Sequence, residues 1–258
     1  MKKKRFIATL FGLLILAIFS GCQDEEDLSV KDKTYSENAP LQRILLYARA
    51  DDKNPISIVS EYEYDASGKI TKVTSPIYID GVIKGTSNYD LYEYDAMNRL
   101  VKIMSYNANL NAGFLNLKNT IYSYGSDGLK EKEQLEFPQI GSFEYIRYIN
   151  QDGRLVEKEH YNGLDKLEMY TELAYNQAGE LIEENFYSGD NELFRVIKHS
   201  YTNGLQTKSD TFQGLEMEQL REVKRTFDAN RNLILLESNE LSILSSAHSH
   251  VLRYEYVE

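Results

Sequence analysis

The chain has 258 residues, a formal net charge of −11, 20 tyrosines, 10 phenylalanines, no tryptophan and one cysteine. A single cysteine excludes internal disulfides and cysteine-based metal clusters. The acidic balance argues against nucleic acid and anionic headgroups as partners, since both carry the same sign of charge.

The first element is a targeting segment. Lys2, Lys3, Lys4 and Arg5 precede an apolar run from Phe6 to Phe19, shorter than the ~20 residues that span a bilayer as a helix. Residues 1–21 therefore read as a signal peptide. Ser20-Gly21-Cys22 resembles a bacterial lipobox, with Phe19 where leucine is common. The resemblance implies cleavage before Cys22, acylation there, and a membrane partner reached through the N-terminal lipid. Gln23, Asp24, Glu25, Glu26 and Asp27 follow. They resemble the acidic export signal of Bacteroidota lipoproteins, which implies an outer-membrane location facing the cell surface, the periplasmic face being the alternative. A like-charge block also reads simply as a solvated linker. Loss of residues 1–21 removes four positive and no negative charges, taking the net charge from −11 to −15. Residues 22–40 are then the lipidated cysteine and its flexible acidic tether.

Residues 41–258 repeat one phrase: an aromatic, a short polar turn, then Leu or Ile. Its copies begin at Tyr62, Tyr92, Tyr122, Tyr148, Tyr175, Tyr201 and Phe227. The turn positions Gly68, Asn98, Gly128, Gly153, Gly179, Gly204 and Arg231 recur every 25 to 30 residues, a length that suits two strands and two turns. Gly and Asn there predict positive φ. Asp65, Asp95 and Asp228 are placed to accept a hydrogen bond from the backbone two residues on. Around Ile58-Val59-Ser60-Glu61-Tyr62-Glu63-Tyr64 the strand pattern alternates. After the turn come apolar pairs, Leu100-Val101, Leu155-Val156 and Leu181-Ile182, which read as one side chain on each face. The expected fold is all-β. It is an antiparallel meander of about seven hairpins and about sixteen strands, forming one long, twisted and curved sheet without significant helix. Leu41–Ala50 would cap one edge and Tyr254-Glu255-Tyr256 the other.

The copies Tyr64-Asp-Ala-Ser-Gly-Lys-Ile70 and Tyr94-Asp-Ala-Met-Asn-Arg-Leu100 resemble the YD repeat of the RHS family, whose hairpin arrays spiral into shells. A second likeness is to small bacterial hairpin-array proteins, some of them antitoxin-like. The resemblance implies the hairpin. Seven short repeats do not suffice to enclose a toxin, so no delivery role is implied.

Catalytic signatures are sparse. No serine elbow, phosphate loop, His-Glu-x-x-His or calcium loop is present. His248-Ser-His250 sets two imidazoles on one strand face and is a candidate metal pair without a third ligand near in sequence. His160 and His199 read as isolated sheet residues. Acidic pairs such as Glu157 with Glu159 and Glu183-Glu184 suit glycoside hydrolysis only if two carboxylates face one cleft. The tyrosines are the better lead. Tyr62, Tyr64, Tyr92, Tyr94, Tyr122 and Tyr124 form candidate ladders for stacking a sugar or docking a protein, or simply for holding the sheet together. No cofactor is expected. The expected function is a non-enzymatic binding or adhesion module for polysaccharide or an envelope protein. A structural subunit of an outer-membrane assembly and a hydrolase with an unrecognised acidic pair are the alternatives.

Overall fold

The computed structural model describes residues 33–109, 113–241 and 249–257. The signal peptide, Cys22, the acidic run Gln23 to Asp27 and His248 lie outside the described residues. Among the described residues, sixteen strands occur and no helix. They are β1 (Leu41–Tyr47), β2 (Ser57–Tyr64), β3 (Ile70–Ile79), β4 (Val82–Tyr94), β5 (Leu100–Asn109), β6 (Gly113–Tyr124), β7 (Lys130–Phe137) and β8 (Ser142–Gln151). Then come β9 (Arg154–Tyr161), β10 (Leu167–Tyr175), β11 (Leu181–Ser188), β12 (Leu193–Thr202), β13 (Leu205–Gln213), β14 (Glu218–Phe227), β15 (Leu233–Glu240) and β16 (Ser249–Tyr256).

Every strand pairs antiparallel with its sequence neighbours, and β1 pairs with β16. The sheet is therefore a closed barrel, not the open curved sheet expected from sequence. A bulge at a fixed place in the repeat explains the closure. Ile70 opposes Tyr64 while Lys72 opposes Glu63, leaving Thr71 as an extra residue. The same step follows Leu100, Lys130, Leu155, Leu181, Gln206 and Leu233. A bulge bends its strand and sharpens the twist, and a bulge repeated at one height curls a sheet. The apolar pairs after the turn mark these bulges rather than a two-sided sheet. At the seam, Leu41 opposes Tyr256 and Arg43 opposes Glu255, which is the same bulge again. The two expected edge caps are thus the two halves of an eighth repeat, and they close on each other.

Tyrosine hydroxyls tie the repeats together. Tyr94 donates to the Ile70 carbonyl at 2.9 Å, Tyr124 to Leu100 at 2.6 Å, Tyr175 to Leu155 at 2.8 Å and Tyr201 to Leu181 at 2.9 Å. Tyr64 reaches Leu41 and Tyr256 reaches Leu233, which carries the ring across the seam. Asn150 Nδ2 replaces the hydroxyl on Lys130. Phe227 has no hydroxyl, so Gln206 receives none. Each acceptor is the bulge residue of the preceding repeat. The basic residue before it covers the same ring: Lys69 over Tyr94, Arg99 over Tyr124, Arg154 over Tyr175. The turns match expectation. The seven turn positions all have positive φ, including Arg231 at 69°. Asp65, Asp95 and Asp228 accept from the N–H groups of Ser67, Met97 and Asn230.

The seam is reinforced from both sides. Tyr35 donates its N–H to Asp228 at 2.8 Å, and its ring lies 4.9 Å from that of Tyr256. On the outer side, Leu45, Tyr47, Ile58, Leu235 and Val251 form the buried apolar cluster. A bulge in β2 turns Ile58 towards Leu45, away from the Ser60, Tyr62 and Tyr64 face that simple alternation assigned to it. Arg253 stacks on Tyr47 and donates to the carbonyls of Ala50 and Asp52, pinning the following loop over the cluster.

The seven tight turns and the eight variable loops occupy opposite ends. Each variable loop bears an exposed large apolar residue at or beside it: Ile56, Val82, Phe114, Ile140, Leu164, Leu193, Leu215 and Leu241.

Candidate functional site: the barrel lumen

Strand register separates two faces. One carries Glu63 with Lys72, Arg147 with Glu159, Glu183 with Lys198, and Lys208 and Lys224 with Glu222. The other carries Tyr62, Tyr92, Tyr122, Tyr148, Tyr201 and Tyr254. On this second face, side chains two strands apart act on one another: Tyr62 on Tyr92 and Tyr254, Tyr92 on Tyr122, Tyr122 on Tyr148. Convergence of that kind marks the concave side. Burial pushes the phenols of Tyr92 and Tyr122 up to about 12. The outer face is charged along mid-strand positions, whereas a barrel embedded in lipid presents an apolar band there.

The lumen is not a packed core. Its buried side chains are short ones, Ser60, Thr120, Thr171, Ser209 and Ser238, shadowed by taller neighbours. The tall ones, among them Tyr92, Tyr122, Tyr148, Phe186 and Ile197, are only half-buried. In a filled interior the order would be reversed. A sixteen-strand barrel is wide enough for an aqueous interior.

The six candidate tyrosines divide into two roles. Tyr62, Tyr92 and Tyr122 line the lumen. Tyr64, Tyr94 and Tyr124 spend their hydroxyls on the ring of carbonyls at the turn end. They do not form the adjacent ladders expected from sequence, because β3 and β5 intervene: Tyr62 faces Val73 and Tyr92 faces Ile103. The stacked pairs are others, on the outer face: Tyr89 with Tyr106, Tyr145 with Tyr161 and Tyr170 with Tyr187. Of the candidate metal pair, His250 lies opposite Ser238. Among the described residues no group of three metal-ligating side chains occurs.

One polar network was not legible in the sequence. His199 Nε2 lies 3.1 Å from Glu184 Oε1, and Nδ1 lies 3.0 Å from Ser209 Oγ. Gln206 Nε2 and Arg225 Nη1 both donate to Ser209 Oγ, at 3.0 and 2.9 Å. Gln206 also donates to Nδ1, which fixes Nε2–H as the imidazole donor to Glu184. The His199 hydrogen bond, with help from Lys158 and against burial, holds the Glu184 carboxyl below the usual range. The order serine–histidine–glutamate invites comparison with a catalytic triad. Here the serine oxygen is buried and covered by two donors. His160, also inward, is pushed down by burial and then by Lys158. Glu157 and Glu159 lie on the outer face beside Arg147. Burial and then Glu159 push Glu157 up, while Arg147 holds Glu159 down. Neither carboxylate lines the cavity that Arg147, Tyr145 and Asp165 form beside them.

No family model matches the chain, and no curated protein matches its sequence. Among solved structures it is similar to a porin-like protein from Bacteroides uniformis, at 9% identity and a TM-score of 0.38, covering 85% of this chain and 97% of that one. A porin-like protein from Bacteroides vulgatus is similar at 12% identity and 0.37, covering 85% and 99%. The TcdB2-TccC3 structure is similar at 12% and 0.30, covering 80% of this chain and 15% of that one.

Proposed function

We propose that the protein is a lipid-anchored, water-surrounded barrel of the outer membrane that binds a glycan in its lumen without transforming it. The observation that carries this reading is the concave band of half-buried tyrosines, Tyr62, Tyr92 and Tyr122, whose hydroxyls make no hydrogen bond among the described residues. Such rings stack on sugar faces while the hydroxyl bonds to ligand oxygens. The charged outer face supports a barrel held beside the membrane by Cys22 rather than within it. Covering of Ser209 and the outer location of Glu157 and Glu159 favour binding over hydrolysis.

The test is native affinity electrophoresis of residues 23–258 against plant, host and bacterial polysaccharides. The expected result is retardation by at least one polymer, lost in Tyr92→Ala and Tyr122→Ala without a change in cooperative unfolding. A second reading, axial docking onto an envelope protein, is favoured by the exposed apolar residue at each variable loop. It predicts no retardation by any polymer. It also predicts that serine at Leu164 and Leu215 abolishes retention on outer-membrane fractions.

A further inference from the structure

The cations of this chain are distributed unevenly. Those of the outer face are paired with carboxylates, as in Lys72 with Glu63 and Lys198 with Glu183. Arg195, Arg221 and Arg225 are different. They share the inward face of β12 and β14, and none makes an ion pair among the described residues. Arg221 Nε donates to Ser238 Oγ at 2.7 Å and Arg225 Nη1 donates to Ser209 Oγ, both neutral hydroxyls. Arg195 Nε is buried and has no hydrogen-bond partner. Arg195 and Arg225 are half-buried, whereas Arg221 is exposed. A half-buried guanidinium without a counter-charge is unfavourable, and more so when a donor is left unused, as at Arg195. Two such groups, with Arg221 beside them, on strands β12 and β14 to either side of β13, in a chain of net charge −11 with 40 acidic residues, make an arrangement that folding alone does not call for.

Their register makes a line. Arg221 opposes Thr211, which opposes Ile197, two residues along β12 from Arg195. Arg225 lies four residues further along β14. The steps are therefore each on the order of 12–13 Å, from the strand rise and the strand spacing, and run from the variable-loop mouth inward. Aromatic rings accompany the line. Phe186 and Phe194 lie 5.4 and 5.6 Å from the Arg195 guanidinium. Tyr201 and Tyr254 are close enough to Arg225 to act on its charge, while burial first, and then Arg221, destabilise that charge.

We infer that this arginine line receives the carboxylates of an acidic oligosaccharide that enters from the variable-loop mouth, with the tyrosines stacking on its rings. The inference rests on the glycan reading above and names the class of sugar. A guanidinium presents paired N–H donors in the plane a carboxylate requires, and an incoming anion supplies the counter-charge the fold leaves out.

Calorimetry of residues 23–258 with a uronic acid oligomer, and with the same oligomer after its carboxyls are reduced to alcohols, separates the two claims. The acidic form is expected to bind about tenfold or more tightly, as charge-assisted hydrogen bonds would give. Its affinity alone should fall with added salt. Arg195→Gln, Arg221→Gln and Arg225→Gln should each weaken the acidic form by a larger factor than the neutral form, with cooperative denaturant unfolding reporting correct folding. Tyr122→Ala should weaken both. Equal binding of the two forms, or acidic binding indifferent to all three glutamine variants, overturns the arginine inference and leaves the glycan reading standing. Binding of neither form, with no polymer retarded in the electrophoretic panel, overturns both.

Discussion

Tyr94 and Phe227 occupy the same position in two copies of the repeat, yet only one closes a hydrogen bond onto its neighbour. A phenol that reaches a bulge carbonyl satisfies an acceptor the ladder has left open. Removing the Tyr94 hydroxyl by Tyr94→Phe should cost about 1 kcal/mol. The converse Phe227→Tyr adds a donor opposite the Gln206 carbonyl and should gain a few tenths to about 1 kcal/mol. Chemical denaturation of the two variants checks both signs. If Tyr94→Phe is neutral, the hydroxyl ring does not hold the repeats. At this scale the sequence was partly legible. In Tyr-Asp-x-x-Gly-Lys-Ile the tyrosine locks onto the preceding repeat and the aspartate accepts from the turn. The glycine takes positive φ, the lysine covers a ring and the isoleucine opens the bulge. The aspartate and glycine act within one turn, so spacing reveals them; the tyrosine lock, the lysine cover and the bulge depend on the neighbouring strand and were not read from spacing. The Glu184–His199–Ser209–Arg225 network joins four strands, and no local spacing signals it.

Elements β1 and β16 carry the largest departure from expectation. Read alone, each is half a hairpin and looks like an edge cap. What spacing did not disclose is that the halves are complementary in register, down to the bulge after Leu41. Nor did the apolar pairs disclose the bulges, because a pair after a turn fits a two-sided sheet equally well. Leu46 and Leu252 oppose each other across this seam. In the soluble domain, which lacks Cys22 when truncated after it, Leu46→Cys with Leu252→Cys should oxidise to an intramolecular disulfide under native conditions. The loop closed exceeds 200 residues, so the bond should stabilise the fold by roughly 5 kcal/mol if geometry is unstrained. An open sheet would keep the two thiols apart, and the protein would remain reduced or cross-link only between molecules.

For the molecule as a whole, closure divides the surface into an outer face rich in ion pairs and an inner face of tyrosines, the Lys158–Glu184–His199 cluster and three arginines without a carboxylate partner among the described residues. Composition announced the tyrosines and the acidity, while only closure says which tyrosines share a compartment. Ile103 and Met104 are consecutive on β5 and face opposite sides: Ile103 pairs with inward Tyr92, Met104 with outward Leu91. They allow the central claim, that the inside of a closed barrel is the binding space, to be tested directly. Ile103→Cys and Met104→Cys, each in a Cys22-free domain, would be coupled to a bulky maleimide, and glycan binding would be measured by affinity electrophoresis. Binding lost with the label at position 103 and kept with the label at 104 is the predicted result; binding kept with the label inside and lost with the label outside would contradict it.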